Sequence, residues 1–100
     1  MGIFDYYQID DDILCNNCSN KVIEFQGKDG PCGLFVWKIK YLSPVDQRVD
    51  DAYKIQKSDL FKIKLPKSFY IYGYCNCGEI VKLICKSDDT GKWNSYDKIE

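Results

Sequence analysis

Histidine is missing from this hundred-residue chain, and several chemistries go with it. Ser-His-Asp and Cys-His arrangements need an imidazole to take the nucleophile's proton, and mixed Cys/His zinc sites need one as a ligand. An excess of either charge is missing too: fourteen Lys and Arg stand against fifteen Asp and Glu, a net charge of −1. A broad duplex-DNA face needs clustered cations, and only Lys54, Lys57, Lys62, Lys64 and Lys67 form a local basic stretch. No apolar run approaches the roughly 20 residues of a membrane helix. The start, Met1-Gly2-Ile3-Phe4-Asp5, lacks the basic and apolar stretches of a secretory signal and the pattern of a myristoylation site. Phosphate-binding glycine loops, a serine nucleophile elbow and paired catalytic carboxylates are also lacking. The expectation is a cytoplasmic protein, where thiols stay reduced.

What the chain does carry is six cysteines, four of them in two tight knuckles, Cys15-Asn16-Asn17-Cys18 and Cys75-Asn76-Cys77-Gly78. In a reducing compartment, paired thiolates at this spacing point to a metal rather than to disulfides. Four sulfurs suit tetrahedral Zn²⁺ better than any hard cation. Cys15, Cys18, Cys75 and Cys77 are therefore the expected zinc ligands. The second pair is one residue shorter than Cys-x-x-Cys, and Cys32, after Gly30-Pro31, is the substitute for Cys75 or Cys77. Cys85, between Ile84 and Lys86 in an apolar run, reads as a small buried hydrophobe. Four sulfurs close the coordination sphere, which stabilises a fold and leaves no open position for substrate. With a divalent ion on four thiolates the net charge becomes about −3.

Elsewhere the pattern is mostly that of strands. The segment up to Asp12 reads as a strand or arm ending in a solvated acidic turn, Asp10-Asp11-Asp12. Lys21–Gln26 has β-branched and aromatic content, and Gly27–Pro31 is a turn. Leu34–Leu42 alternates, with Phe35, Trp37, Ile39 and Tyr41 on one face. Ser43-Pro44-Val45-Asp46 carries a helix-start signature, predicting a short helix through about Tyr53, followed by a loop through Lys57 and Ser58. Leu60–Leu65 alternates and stops at Pro66. Ser68–Tyr74 puts Phe69 and Ile71 opposite Tyr70, Tyr72 and Tyr74, and Glu79–Lys86 sets Val81, Leu83 and Cys85 against Ile80, Lys82 and Ile84.

The expected fold is mainly β, with a small α+β arrangement as the alternative: a zinc-ribbon-like antiparallel sheet with an inserted strand, short helix and strand. One domain spans residues 1–86 with the insertion at about 38–67, and 87–100 is a polar, partly ordered tail carrying Trp93 and Tyr96.

The start Met1–Asp5, the Cys15/Cys18 knuckle, the stretch Glu24–Cys32 and the Cys75-x-Cys77-Gly78 turn with its apolar strand resemble small zinc-ribbon-like accessory proteins of tailed bacteriophages. The resemblance covers the first third and Phe69–Lys86, with no counterpart for Lys38–Lys67. It implies Cys15, Cys18 and Cys77 as ligands, Cys75 being displaced by one position, and a viral protein acting in the host cytoplasm without a stated mechanism. Together with the closed metal site and the tyrosines, it leads to the expectation of a non-enzymatic module that binds a host or phage protein through Tyr70, Tyr72 and Tyr74, in host takeover or counter-defence. The alternative is a single-stranded nucleic-acid-binding module, stacking bases on the same tyrosines and tracking phosphates with lysines of 54–67.

Overall fold

The computed structural model describes residues 4–99; Met1, Gly2 and Ile3, which open the resembling segment, lie outside them. Seven strands form one sheet: β1 (Asp5–Leu14), β2 (Lys21–Gly27), β3 (Phe35–Lys38), β4 (Asp46–Gln47), β5 (Ser68–Tyr74), β6 (Ile80–Ser87) and β7 (Trp93–Ile99). Their order across the sheet is β4-β3-β1-β2-β5-β6-β7. The fold is mainly β as expected, and every pairing is antiparallel except β1 with β3, which is parallel.

The sheet has one buried face. Tyr7, Phe25, Phe69, Ile71, Leu83, Cys85 and Trp93 are each at most 1% exposed. The strong alternation of β5 and β6 places Phe69, Ile71, Val81, Leu83 and Cys85 in this core. At its centre the Tyr7 ring stacks on Phe69, and the Trp93 indole packs edge-on against both.

The sheet curls until its last strand meets its first. The Lys40 amide donates to the Trp93 carbonyl, Tyr96 Oη donates to the Asp11 carboxylate at 2.8 Å, and Lys98 Nζ reaches the Leu14 carbonyl at 2.6 Å. A bulge in β1 between Gln8 and Ile13 supplies the bend. Its exposed Asp10 and Asp12 pair with Lys38 and Lys21, so the triple-Asp run is a solvated face, as read, but on a strand rather than a turn.

Several expectations are corrected. The polar tail after Ser87 is strand β7, paired to β6 through six of its seven residues and anchored by fully buried Trp93. Its sequence pattern is weak because only Trp93 is buried, and half-buried Tyr96 and exposed Lys98 meet β1 through polar contacts. The helix expected from Ser43 to Tyr53 is instead β4 followed by a 3₁₀ turn at Asp51–Tyr53. Helix propensity loses there because β3 has an open edge. The amides of Val45 and Arg48 donate to the Val36 and Leu34 carbonyls, and the buried Gln47 side-chain amide bridges Gly33 and Ile55. Leu34–Leu42 yields a strand of only four residues, and Tyr41 is exposed.

The loop expected at Lys57 and Ser58 is the one-turn helix α1 (Lys57–Leu60). Leu60–Leu65 is not a strand, because β5 already has β2 and β6 on its two sides. That segment packs Leu60, Ile63 and Leu65 against the core and leaves Phe61 exposed. Among the described residues no helix is long and apolar enough to cross a membrane.

Candidate metal centre

Both knuckles are hairpin loops. Cys15–Asn20 joins β1 to β2, and Cys75–Glu79 joins β5 to β6. Because β2 pairs antiparallel with β5, with Phe25 opposite Gly73, the tips of the two hairpins lie side by side. That single pairing brings together cysteines 57 positions apart.

The two turns are built alike, the second one residue shorter throughout. In the first, the Cys15 amide donates to the Asn20 carbonyl, and the Cys15 carbonyl accepts from Ser19. In the second, the Cys75 amide donates to the Glu79 carbonyl, and the Cys75 carbonyl accepts from Gly78. Each turn closes through one left-handed residue, Ser19 at φ 62° and Gly78 at φ 98°. A missing residue in Cys75-x-Cys77 is thus accommodated by the turn and costs no ligand.

Non-glycine residues resist that conformation by roughly 1–2 kcal/mol. Ser19→Gly is therefore expected to raise stability by about 1 kcal/mol. Gly78→Ala, which meets no atom within 4 Å, is expected to lower it by a similar amount through backbone strain alone. Urea melts of the metal-loaded protein measure both shifts, and equal stability of all three forms would contradict the turn geometry.

The four sulfurs lie within 4.8 Å of one another. Cys15 Sγ is 3.6 Å from Cys77 Sγ and Cys18 Sγ is 3.2 Å from Cys75 Sγ. A disulfide needs about 2.05 Å, and all six cysteines are free. A tetrahedral ion with metal–sulfur bonds of about 2.3 Å sets its ligands about 3.8 Å apart. The cluster fits such an ion with small outward shifts of the sulfurs. Cys15 and Cys75 are buried, Cys18 is half-buried and Cys77 faces solvent.

The surroundings favour negative sulfur at Cys77 but not at Cys75. The Glu79 amide and then Asn17 Nδ2, at 3.6 Å, donate to Cys77 Sγ, and the Cys77 thiol is lowered to about 6. The Cys77 amide also pulls the Cys75 thiol down, but protons shared with Cys18, burial and the other thiols together raise it to about 12. Lys98 Nζ, 2.7 Å from Asn16 Oδ1 and bonded to the Leu14 carbonyl, brings a cation from β7 to the first knuckle. Such a cation offsets the net charge of about −2 that four thiolates on a divalent ion carry.

The other two thiols stand apart. Cys32 donates to the Lys28 carbonyl at 3.0 Å and is pushed up by burial and by Asp5; it is not one of the four clustered sulfurs. Cys85 lies fully buried in β6, its thiol pushed up to about 12 by burial. Iodoacetamide at pH 7 is accordingly expected to label Cys77 first and Cys85 last in the metal-free protein. Peptide mapping reads the order, and early labelling of Cys85 would contradict it.

Asp5 escaped the sequence reading. Its carboxylate, fully buried, accepts from the amides of Cys32, Gly33 and Phe35 and from the Trp37 indole N–H at 2.9–3.2 Å. The loop Gly30–Leu34 wraps it by taking Cys32 and Leu34 through φ 60° and 58°. Nothing local marks this Asp; only the Gly-Pro-Cys-Gly loop that surrounds it hints at unusual backbone.

Tyr70, Tyr72 and Tyr74 point away from the core, 40%, 36% and 64% exposed, with Ile80 beside them at 55%. The register sets Tyr72 between Gln26 and Lys82, and Tyr74 opposite Ile80 at the base of the second knuckle. Lys82 Nζ lies 4.7 Å from the Tyr70 ring centre and 5.6 Å from that of Tyr72. An open groove of about 430 Å³ runs along this face, walled by Phe4, Tyr72, Tyr74 and Ile80 with Lys28 and Asp29 at its rim. No protein family, curated protein or solved structure matches this chain.

Proposed function

We propose that the chain is a non-enzymatic binding module, its sheet clasped by one zinc ion on Cys15, Cys18, Cys75 and Cys77, and its outer face docking another protein. Zinc is the ion proposed because an all-sulfur, tetrahedral donor set suits it, iron being the other metal this geometry accepts. Such an ion would supply cross-linking and no chemistry, since the four thiolates leave no open position. Colourless protein with stoichiometric zinc supports this reading, and a red, iron-loaded protein from cells supplied with both metals counts against it.

The observation that carries the binding role is the exposed tyrosine row of β5. A strand whose Phe69 and Ile71 are at most 1% exposed presents Tyr70, Tyr72 and Tyr74 to solvent, beside Ile80 and a groove. Large amphipathic rings held rigid on a sheet are the side chains that dominate protein interfaces. The setting proposed, the bacterial cytoplasm during phage infection, with host takeover or counter-defence as the role, rests on the resemblance of the knuckle segments alone.

Affinity capture from bacterial lysate tests the role against a Tyr72→Ser/Tyr74→Ser control of equal melting temperature. A stoichiometric protein retained by the native chain and lost with the double variant is the expected result. Equal retention by both, or none by either, would contradict it.

A further inference from the structure

The docking groove carries its own indication of partner chemistry, in two lysines. Lys28 sits on its rim, and Lys82 lies over the rings of Tyr70 and Tyr72 on its flank. Among the described residues neither ammonium pairs with a carboxylate. The acid nearest in sequence, Asp29, is engaged with the backbone, accepting from the Tyr70 amide at 2.9 Å. Glu79 adjoins the groove wall Ile80, Glu24 near Tyr74 is paired with Arg48, and most of the remaining acids are spread over other parts of the fold. Asp10–Asp12 lie on the far half of β1, Asp46 and Asp51 around β4, and Asp88 and Asp89 in the β6–β7 turn. A molecule with nearly balanced charges thus places two lysines without carboxylate partners beside an aromatic groove.

We propose that the groove takes an extended, acidic segment of a partner protein: an aromatic or aliphatic side chain between Tyr72, Tyr74 and Ile80, and a carboxylate between Lys28 and Lys82. This rests on the protein-docking reading of the same face and adds the chemistry of what docks. Alternation in an extended chain puts residues two apart on one side, so the acid and the apolar anchor stand at i and i+2. A groove of this volume holds one or two large side chains, and the ammonium held over two rings is positioned for a single charge-assisted contact. A nucleic acid would fit less well, because its phosphates recur along the strand and require a continuous cationic track. Here two lysines stand in a chain of net charge −1.

The test is selection of random eight-residue displayed peptides on the metal-loaded protein, followed by anisotropy with the strongest peptide resynthesised and labelled. The expected winners carry Asp or Glu two residues from an aromatic or aliphatic side chain. Lys28→Gln with Lys82→Gln should weaken the peptide about tenfold or more. Lys82→Glu should be rescued by a peptide with Lys in place of its acid. Metal content and melting temperature, unchanged in the variants, keep folding out of the comparison. Winners without acids, or affinity indifferent to both lysines but lost in Tyr74→Ser, would overturn the acidic-partner inference and leave the docking face standing. No peptide distinguishing native protein from Tyr72→Ser/Tyr74→Ser would overturn both. Lysine-dependent binding of a ten-residue oligothymidine, with no acidic peptide selected, would replace this partner with single-stranded nucleic acid.

Discussion

Replacing Cys18 with serine is expected to lower the melting temperature by roughly 12–24 °C, and a strong chelator should do the same to the native protein. A metal held by the four thiolates would tie two hairpins whose cysteines are 57 positions apart. A cross-link closing a loop of that length restricts the unfolded chain by about 4 kcal/mol. A three-thiolate remnant retains part of that, so a loss of about 3 kcal/mol is expected, and each kcal/mol moves the melt of a domain this size by about 4–8 °C. Chelator should take from the variant only the remaining ~1 kcal/mol, a further fall of about 4–8 °C. As metal ligands the cysteines would bind as thiolates, so acid would work in the same direction. The Cys77 thiol, lowered in the fold from 9.0 to about 6, adds stability that is complete above its ordinary value and disappears as pH falls through about 6. Thermal melts across pH 5–9, with and without chelator, measure both effects. A native melt indifferent to chelator, with Cys18→Ser equal to it, would remove the clasp.

Asp5→Ala is expected to cost about 3–5 kcal/mol, comparable to losing a large core side chain. Three backbone amides and the Trp37 indole converge on this carboxylate, two on each oxygen. Removing it leaves two buried donors, the Phe35 amide and the Trp37 indole, and two part-buried amides without an acceptor, each worth about 1–3 kcal/mol when orphaned, part of which relaxation and water recover. The informative control is Asp5→Asn. Every partner is a donor, so an amide offers one suitable oxygen and turns its own N–H groups on the other pair. Asp5→Asn should therefore fall within about 1 kcal/mol of Asp5→Ala in urea unfolding. An Asn variant near native stability would show that the loop does not depend on two acceptor oxygens.

The parts of the fold legible in the sequence are those whose causes are local. β5 and β6 alternate cleanly because one face is core, and the same alternation places Tyr70, Tyr72 and Tyr74 outside. The knuckles are legible because thiol spacing within a turn is itself local, and both turn out to be hairpin tips. What stays hidden depends on distant partners. Ser43-Pro44 is a sound helix start, yet the open edge of β3 claims the amides of Val45 and Arg48. β7 looks like a tail because, apart from Trp93, it is mostly polar, and only the contacts of Tyr96 with Asp11 and of Lys98 with Leu14 show how it closes on β1. Asp5 is one acid among many until the loop 30 residues on wraps around it, and Lys82 one lysine among many until its neighbours' rings are seen.

Native mass spectrometry of the freshly purified protein bears most directly on the clasp. One zinc per chain is expected, with four protons displaced by it, and only Cys32 and Cys85 labelled when the metal-loaded protein is alkylated in mild denaturant. A chain without metal, lighter by two or four hydrogens through disulfides among Cys15, Cys18, Cys75 and Cys77, would contradict it.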